Sequence, residues 1–306
     1  MAGLRTTAGA QLRRVKLAVK GRTPDSAVRL ARRVAFQWGL WTARFRMQPS
    51  FIVVGAQRCG TTTLYRLLEA HPNLIRPTVA KGTGYFDDNY HRGPRWYRAH
   101  FPLRLTASLL VGRGRLAQTF EMSGYYLFHP LAAQRMARDL SDIKVVVMVR
   151  DPVERAYSAH RHELARGYDE LNFEEAVDRE PERTAGERDR ILDDPSYASF
   201  THRHHSYLAR SRYAEQIREY IEALGPDRVY VMEADRFFSD PHGEFAALQN
   251  WLGIPQWSPS SVDRWNERPR DPMPDALRER LMQYFEPYDD QLAQILGRTP
   301  VWREQR

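Results

Sequence analysis

The chain has 306 residues, 42% of them apolar, enough for one large α/β domain with a real core, or for a domain plus an extension. Its formal charge of +8 is unevenly placed: eleven of the 46 bases and one of the 38 acids fall in residues 1–50, leaving 35 bases against 37 acids beyond, so the body of the chain lacks the basic surface that nucleic acid requires. A single cysteine, Cys59, excludes an intramolecular disulfide, no Cys/His spacing suits structural zinc, and neither a membrane span of roughly 18 to 20 apolar residues nor a signal-peptide stretch is visible, which together predict a protein of the reducing cytoplasm.

In chain order, Thr23-Pro24-Asp25-Ser26 reads as a helix start, with Thr23 at the N-cap and Pro24 at the first helical position. Behind it Leu30, Val34, Trp38, Trp41 and Phe45 recur at helical spacing, flanked by Arg29, Arg32, Arg33, Arg44 and Arg46. The stripe fits a helix packed on the domain with its arginines in solvent. It also fits a helix lying on an anionic membrane surface, which would make residues 24–47 a peripheral attachment to the inner face of the membrane. Gly39 weakens the helix in either case. Residues 1–49 are therefore read as a basic helical extension and residues 50–303 as the main domain.

From residue 51 the pattern alternates. FIVVG is a short β-rich run ending in glycine, TTLYRLLEAHP is helical to Pro72, DIKVVVMV (142–149) is a buried strand, and PVERAYSAHRHELARG is helical again. RVYVMEADRF (228–237) is a third strand candidate between the helices RYAEQIREYIEALG and HGEFAALQNWLG. Strands separated by helices predict a central parallel sheet flanked by helices. The charge-dense segment 168–205, ending in THRHH, reads as a lid-like helical insertion, and ERPRDPMPD (267–275) as a proline-rich loop before the last helix.

The stretch GAQRCGTTTLYRLL carries the chemistry. A strand, a glycine loop and a helix N-terminus make an anion site, because the first helical N–H groups have no internal partner and the helix dipole is positive there. Gly55 and Gly60 keep the G-x-x-x-x-G spacing of a nucleoside-triphosphate loop, but Thr61-Thr62 stand where such a loop has Lys-Ser/Thr, and the cation is at Arg58. A γ-phosphate with Mg²⁺ is poorly served; a terminal phosphate-like group held by N–H groups, hydroxyls and a guanidinium is not. A second anion site is Arg150 at the C-terminal end of a buried strand, with Ser158 eight residues on. Taken alone, Asp151 also reads as the magnesium aspartate of a kinase or triphosphatase. Two anion sites together suggest a nucleotide phosphorylated at both ends.

On these residues the chain resembles sulfotransferases that use 3′-phosphoadenosine 5′-phosphosulfate (PAPS), in the branch of heparan sulfate and bacterial carbohydrate enzymes. GAQRCGTT is similar to the family's G-x-x-[KR]-x-G-T-[ST] phosphosulfate loop, and RDPVERAYS to its R-D-P-x-x-R-x-x-S element for the 3′-phosphate. HRGPRWYRAHFP resembles the G-x-x-W-Y-x-x-x-F-P segment and FEMSGYYLFHP the E-x-S-P-x-Y-L element, with Gly124 in place of the proline. The likeness runs over roughly residues 50–303 and implies the P-loop-like sulfotransferase fold. It assigns Gly55, Arg58, Cys59, Gly60, Thr61, Thr62 and Thr63 to the 5′ end of the donor, Arg150 and Ser158 to the 3′ end, and adds Tyr213, Arg268 and Arg270. It makes Arg58 and Lys81 the catalytic cations, needs no metal, and implies a hydroxyl acceptor on a glycan, glycolipid or small molecule.

One departure bears on mechanism. The family reads K-E-x-H-F-F where this chain has KGTGYF, so Gly82 replaces the glutamate that serves as general base and Gly84 the histidine, while Lys81 is kept. Glu121 ranks first as a substitute, followed by Asp87, Asp88 and His91; a catalytically silent or membrane-tethered PAPS-binding protein and a P-loop kinase are the alternatives. Cys59, at a helix N-terminus beside arginine, sits where thiol pKa falls, or is simply a small loop residue. His202, His204 and His205 suggest a metal, but no carboxylate completes the set and lid hydrogen bonding is expected. Trp96-Tyr97 and Tyr125-Tyr126 are read either as sugar-stacking or as core.

Overall fold

The computed structural model describes residues 25–77, 82–111, 116–259, 261–262 and 272–304. Thr23, Pro24, Lys81, Arg268 and Arg270 lie outside the described residues.

Five parallel strands form one sheet, in the order β2-β3-β1-β4-β5: β1 Phe51–Gly55, β2 Leu74–Ile75, β3 Gln118–Met122, β4 Lys144–Val149 and β5 Val229–Glu233. Apart from the first residue of β4, the five residues of β1 and the six of β4 are all buried, because helices cover both faces; such strands read as unbroken Val/Ile/Phe runs, as FIVV and VVVMV do. β3 was not legible in that way. Gln118, Thr119 and Glu121 break the apolar run, and the strand is stable inside because Thr119 Oγ1 donates to the Ile75 carbonyl at 2.6 Å while Glu121 is saturated by donors described below.

The chain crosses the sheet in opposite directions after β1 and after β4. Helix α2 (Thr61–Ala70) leaves β1 toward β2, and the helix Pro152–Leu164 leaves β4 toward β5. Since β1 and β4 are neighbours, with Gly55 opposite Val147, their C-terminal ends bound the crevice where open α/β sheets hold ligands. The loop after β5 differs from expectation. The strand stops at Glu233 and Ala234–Ser239 is helical, because the buried Glu233 carboxylate accepts from the Val301 N–H at 2.7 Å and pairs with Arg236 and Arg298, turning the chain there.

The N-terminal helix α1 (Asp25–Trp41) is formed, but its apolar stripe is not the packed face. Phe36 sets its ring against Trp96 and His100, with centroids 6.1 and 4.9 Å apart, and Gly39 lies on the Ala99 carbonyl, 2.6 Å from where a Cβ would stand. Gly39 is therefore a site of close backbone approach and not simply a weak point in the helix. Leu30, Val34, Trp38, Trp41 and Phe45 are 63, 62, 58, 81 and 53% exposed, which corrects the expectation that they pack on the domain.

Candidate active site

The loop between β1 and α2 is held by arginines from the other anion motif. Arg155 Nε donates to the Gln57 carbonyl at 3.1 Å and Arg150 Nη1 to the Arg58 carbonyl at 3.4 Å. Arg58 has φ +75°, a left-handed conformation that a side chain rarely adopts, and Gly60 has φ +81°. A Cβ on Gly60 would meet the Phe238 ring at 2.9 Å, so the turn needs glycine on two counts.

The Arg58 side chain reaches across the crevice: its Nε donates to Ser158 Oγ at 3.0 Å. Arg58 thus joins Arg150 and Ser158, which lie 92 and 100 positions further along the chain, in one hydrogen-bonded group. Arg150 and Ser158 are brought there by α6 (Pro152–Leu164), which Asp151 caps by accepting from the Val153 and Glu154 N–H groups at 2.9 and 3.4 Å. The magnesium-aspartate reading of Asp151 gives way to this capping role. Glu154 pairs with Arg150 at 3.8 Å and with Arg278 at 2.7 Å.

Of the loop's side chains, Arg58, Thr61 and Thr62 are partly exposed, while Cys59 and Thr63 are buried. The Cys59 thiol lies 3.6 Å from the Tyr213 hydroxyl. Burial pushes it up, and the neighbouring Arg155 only partly offsets that, so the expectation of a lowered thiol pKa is corrected. Tyr213, 2% exposed, meets the loop through the buried Cys59. Arg155 is the residue that sequence reasoning missed. It is 1% exposed and also donates to the Tyr207 carbonyl at 3.1 Å, tying the loop after β1 to the chain just past residue 205. The signal was present as the second arginine of RDPVER.

Glu121 is sealed in. Its Oε1 accepts from Thr83 N–H (2.7 Å), Thr83 Oγ1 (2.6 Å) and the Tyr126 hydroxyl (2.9 Å), and its Oε2 from the Tyr97 hydroxyl (2.7 Å). Burial raises its pKa against the pull of these four bonds. A carboxylate with no exposed surface and four donors on it does not meet an acceptor hydroxyl; first rank as base is corrected to a role in bracing the segment at 82–85. Gly82 lies on the Met122 carbonyl so closely that a Cβ there would overlap it. Asp87 is buried, with burial first and the charge of Asp88 second raising its carboxyl to about 7. Its Oδ1 would lie 2.9 Å from a Cβ on Gly84. Asp88 pairs with Arg203, and His91 is exposed.

Residues 168–205 hold α7 Phe173–Asp178, α8 Glu180–Thr184, α9 Glu187–Asp193 and α10 Phe200–His204. The buried Asp169 binds Arg183 through both oxygens at 3.0 and 3.1 Å and accepts from the Tyr207 hydroxyl at 2.6 Å. The three histidines diverge: His202 to the Tyr125 hydroxyl (2.9 Å), His204 to Glu163 (3.0 Å), His205 to the Tyr168 carbonyl (2.8 Å). Arg210, buried and lowered to about 9 by that burial, donates to the Gly124 carbonyl at 3.1 Å and sits over Tyr125. Tyr97, Tyr125 and Tyr126 are buried, which leaves Trp96 as the partly exposed member of the proposed stacking set.

The model of the sulfotransferase domain matches residues 48–269. The chain belongs to the sulfotransferase family. Bifunctional heparan sulfate N-deacetylase/N-sulfotransferase 1 of Caenorhabditis elegans is 25% identical over 287 residues, covering 84% of this chain and 31% of that protein. Heparan sulfate glucosamine 3-O-sulfotransferase 3B1 of Mus musculus is 28% identical over 206 residues, covering 67% and 46%. The chain thus spans less than half the length of either curated relative. A solved sulfotransferase from Alicyclobacillus acidocaldarius matches with a TM-score of 0.59 and 29% identity over 82% of this chain and 97% of its own. The sulfotransferase domain's phosphate loop and RDPVERAYS element both fall inside the matched span.

Proposed function

We propose that this sulfotransferase moves a sulfuryl group from PAPS to a hydroxyl on a glycan or glycolipid, without a metal. The observation that supports the reading best is the Arg58–Ser158 hydrogen bond at 3.0 Å, with Arg150 on the Arg58 carbonyl. A loop built for a triphosphate has no use for a second cationic wall at this distance; a nucleotide with phosphate groups at both ends does. The groups of the two motifs fit that donor, being two guanidiniums and three hydroxyls, with Glu154 and Asp235 the acids near Arg150.

The donor supplies the sulfuryl group and a phosphate leaving group. Arg58, with Thr61, Thr62 and the first N–H groups of α2, would hold its 5′ end and stabilise charge as the leaving oxygen departs. Arg150 and Ser158 would hold the 3′-phosphate and so fix the donor for in-line attack. Lys81 joins these cations by family correspondence. For the acceptor proton the favoured base is Asp87, which is 3% exposed with its Oδ1 on the Asp88 N–H at 2.6 Å and must turn toward the crevice to act; its carboxyl, raised to about 7, lies beside the Gly82–Gly84 segment to which the family resemblance assigns the base.

Titration calorimetry with adenosine 3′,5′-bisphosphate and with ATP–Mg²⁺ tests the donor. Micromolar binding of the bisphosphate in EDTA, weakened about tenfold or more by Ser158→Ala, is expected; magnesium-dependent ATP binding with none for the bisphosphate overturns it. Gly82 favours one second reading, a PAPS-binding protein without turnover. Transfer of labelled sulfate across glycan and glycolipid acceptors separates the two, since binding without transfer to any acceptor favours the silent form.

A further inference from the structure

The face of α1 that points away from the domain has the composition of an interface. At about 100° per residue, Leu30, Val34, Trp38 and Trp41 fall within an arc of about 80°, opposite the Phe36, Gly39 and Leu40 side that packs on Trp96, Ala99 and His100. The apolar stripe is therefore not a core face left loose: the helix has a core face, and this is the other one. Arg33 and Arg44 are exposed beside it.

A second apolar surface begins at the same place from a distant part of the chain. Arg46 pairs with Leu103 in an antiparallel bridge, Met47 N–H donates to the Pro102 carbonyl at 2.9 Å, and Arg46 Nη1 donates to the Phe101 carbonyl at 2.5 Å. From that junction α4 (Arg104–Val111) carries Leu105 and Leu109 one turn apart, 87 and 79% exposed, while Ala107 and Val111 on its other side are buried. Leu116, after it, is 84% exposed. Exposed leucines at i and i+4 on α4 and two exposed tryptophans on α1 thus flank one junction, at residues 45–47 and 101–103, and are more large apolar side chains than scattered surface residues supply.

We propose that α1 and α4 together form a platform that seats the protein on an anionic lipid surface, lying in the headgroup plane without crossing the bilayer. Charge selects this occupant over a protein partner. Residues 1–50 hold eleven bases against one acid, whereas a stable protein interface core is depleted of charge around its anchors. The anchors are of interfacial type, tryptophan, phenylalanine and leucine flanked by arginines, in which amphipathic rings sit at headgroup depth and guanidiniums meet lipid phosphates. Among the described residues no helix is long and apolar enough to cross a membrane. The platform is independent of the donor and acceptor assigned above.

The test is sedimentation of the full chain with vesicles of phosphatidylcholine containing a quarter phosphatidylglycerol, and with pure phosphatidylcholine. Binding to the anionic vesicles that weakens with salt, with a blue shift of tryptophan emission, is expected. Trp38→Ser with Trp41→Ser should lower the partition coefficient at least tenfold, and Leu105→Ser with Leu109→Ser severalfold, with melting temperature and bisphosphate binding unchanged. Failure of the wild-type chain to sediment with anionic vesicles, or undiminished binding by the tryptophan pair variant, overturns the proposal; the latter outcome would assign lipid attraction to the basic N-terminus alone. A dimer by light scattering that the same variant disperses, without vesicle binding, would give the face to a second copy of the chain.

Discussion

Arg155→Met is the sharpest test of how the site is assembled, because Arg155 faces no crevice yet holds the phosphate loop. The guanidinium donates to the Gln57 carbonyl (3.1 Å), the Tyr207 carbonyl (3.1 Å) and Ser211 Oγ (3.4 Å). Methionine fills similar volume and removes the buried charge, whose own desolvation cost offsets part of the loss. Tyr207 O keeps the Ser211 hydroxyl at 3.0 Å, so the main deficit is the Gln57 carbonyl, stripped of its arginine. Leaving a buried acceptor unmet costs about 1 to 3 kcal/mol, and the charged hydrogen bonds add to that, for a total of about 2 to 4 kcal/mol. In a domain of this size that lowers Tm by roughly 4 to 8 °C. The functional effect is separate. Freed of Arg155, residues 57 and 58 regain backbone freedom worth about 1 kcal/mol each, which binding must then remove, so bisphosphate affinity falls about 10- to 100-fold. Calorimetry well below the variant's Tm measures it. An unchanged Kd alongside a lowered Tm would refute the reasoning, reducing Arg155 to a core bracket with no hold on the loop.

Three further outcomes follow from the geometry. Gly82→Glu, which installs the residue that the family resemblance implies there, should lower Tm and leave turnover no higher, because its Cβ overlaps the Met122 carbonyl; overpacking of this kind costs about 1 to 3 kcal/mol, and a gain in kcat would show that the segment opens freely. Asp87→Asn should abolish transfer, and the wild-type kcat should fall tenfold per pH unit below about 7, since a base works only when deprotonated and its carboxyl is raised to about 7; a flat profile from pH 5.5 to 8 removes Asp87 from that role. Asp169→Asn should flatten the acid limb of stability. Burial would raise this carboxyl, but Arg183 and Tyr207 outweigh it and hold it at about 2, so its stabilisation, about 2 kcal/mol by linkage, is complete above about pH 4 and lost as pH falls toward 2. Equal acid midpoints for wild type and variant in circular dichroism would contradict it.

What could be read from the sequence follows from where polar groups are satisfied. β1 and β4 announced themselves because helices bury both their faces and FIVV and VVVMV leave nothing polar to satisfy. β3 was hidden by Thr119 and Glu121, whose partners Ile75, Thr83, Tyr97 and Tyr126 come from elsewhere in the chain. The α1 stripe misled in the opposite sense: large apolar residues at helical spacing suggest an inner face, but the helix packs through Phe36 and Gly39, where the absence of a side chain allows contact with Ala99. At the site, Arg58, Arg150 and Ser158 were legible from spacing. Arg155 was not, because a structural arginine inside a ligand motif looks like part of the ligand set.

The glycine at position 82 and the burial of Glu121 belong to one arrangement. With no side chain, the backbone at 82 comes down onto the Met122 carbonyl at the end of β3, and that descent delivers both the N–H and the hydroxyl of Thr83 to Glu121 Oε1. A fully buried carboxylate needs several donors, and Thr83 supplies two of the four. The same closure sets Tyr85 N–H on the Tyr126 hydroxyl at 2.8 Å, so the segment is fixed at three successive points. A side chain at 82 would lift it and leave Glu121 short of donors. Glu121 therefore braces the loop and faces inward, and the carboxylate left beside the segment is Asp87, in space that Gly84 vacates and with its carboxyl raised by burial, which is why the proposed base is sought there.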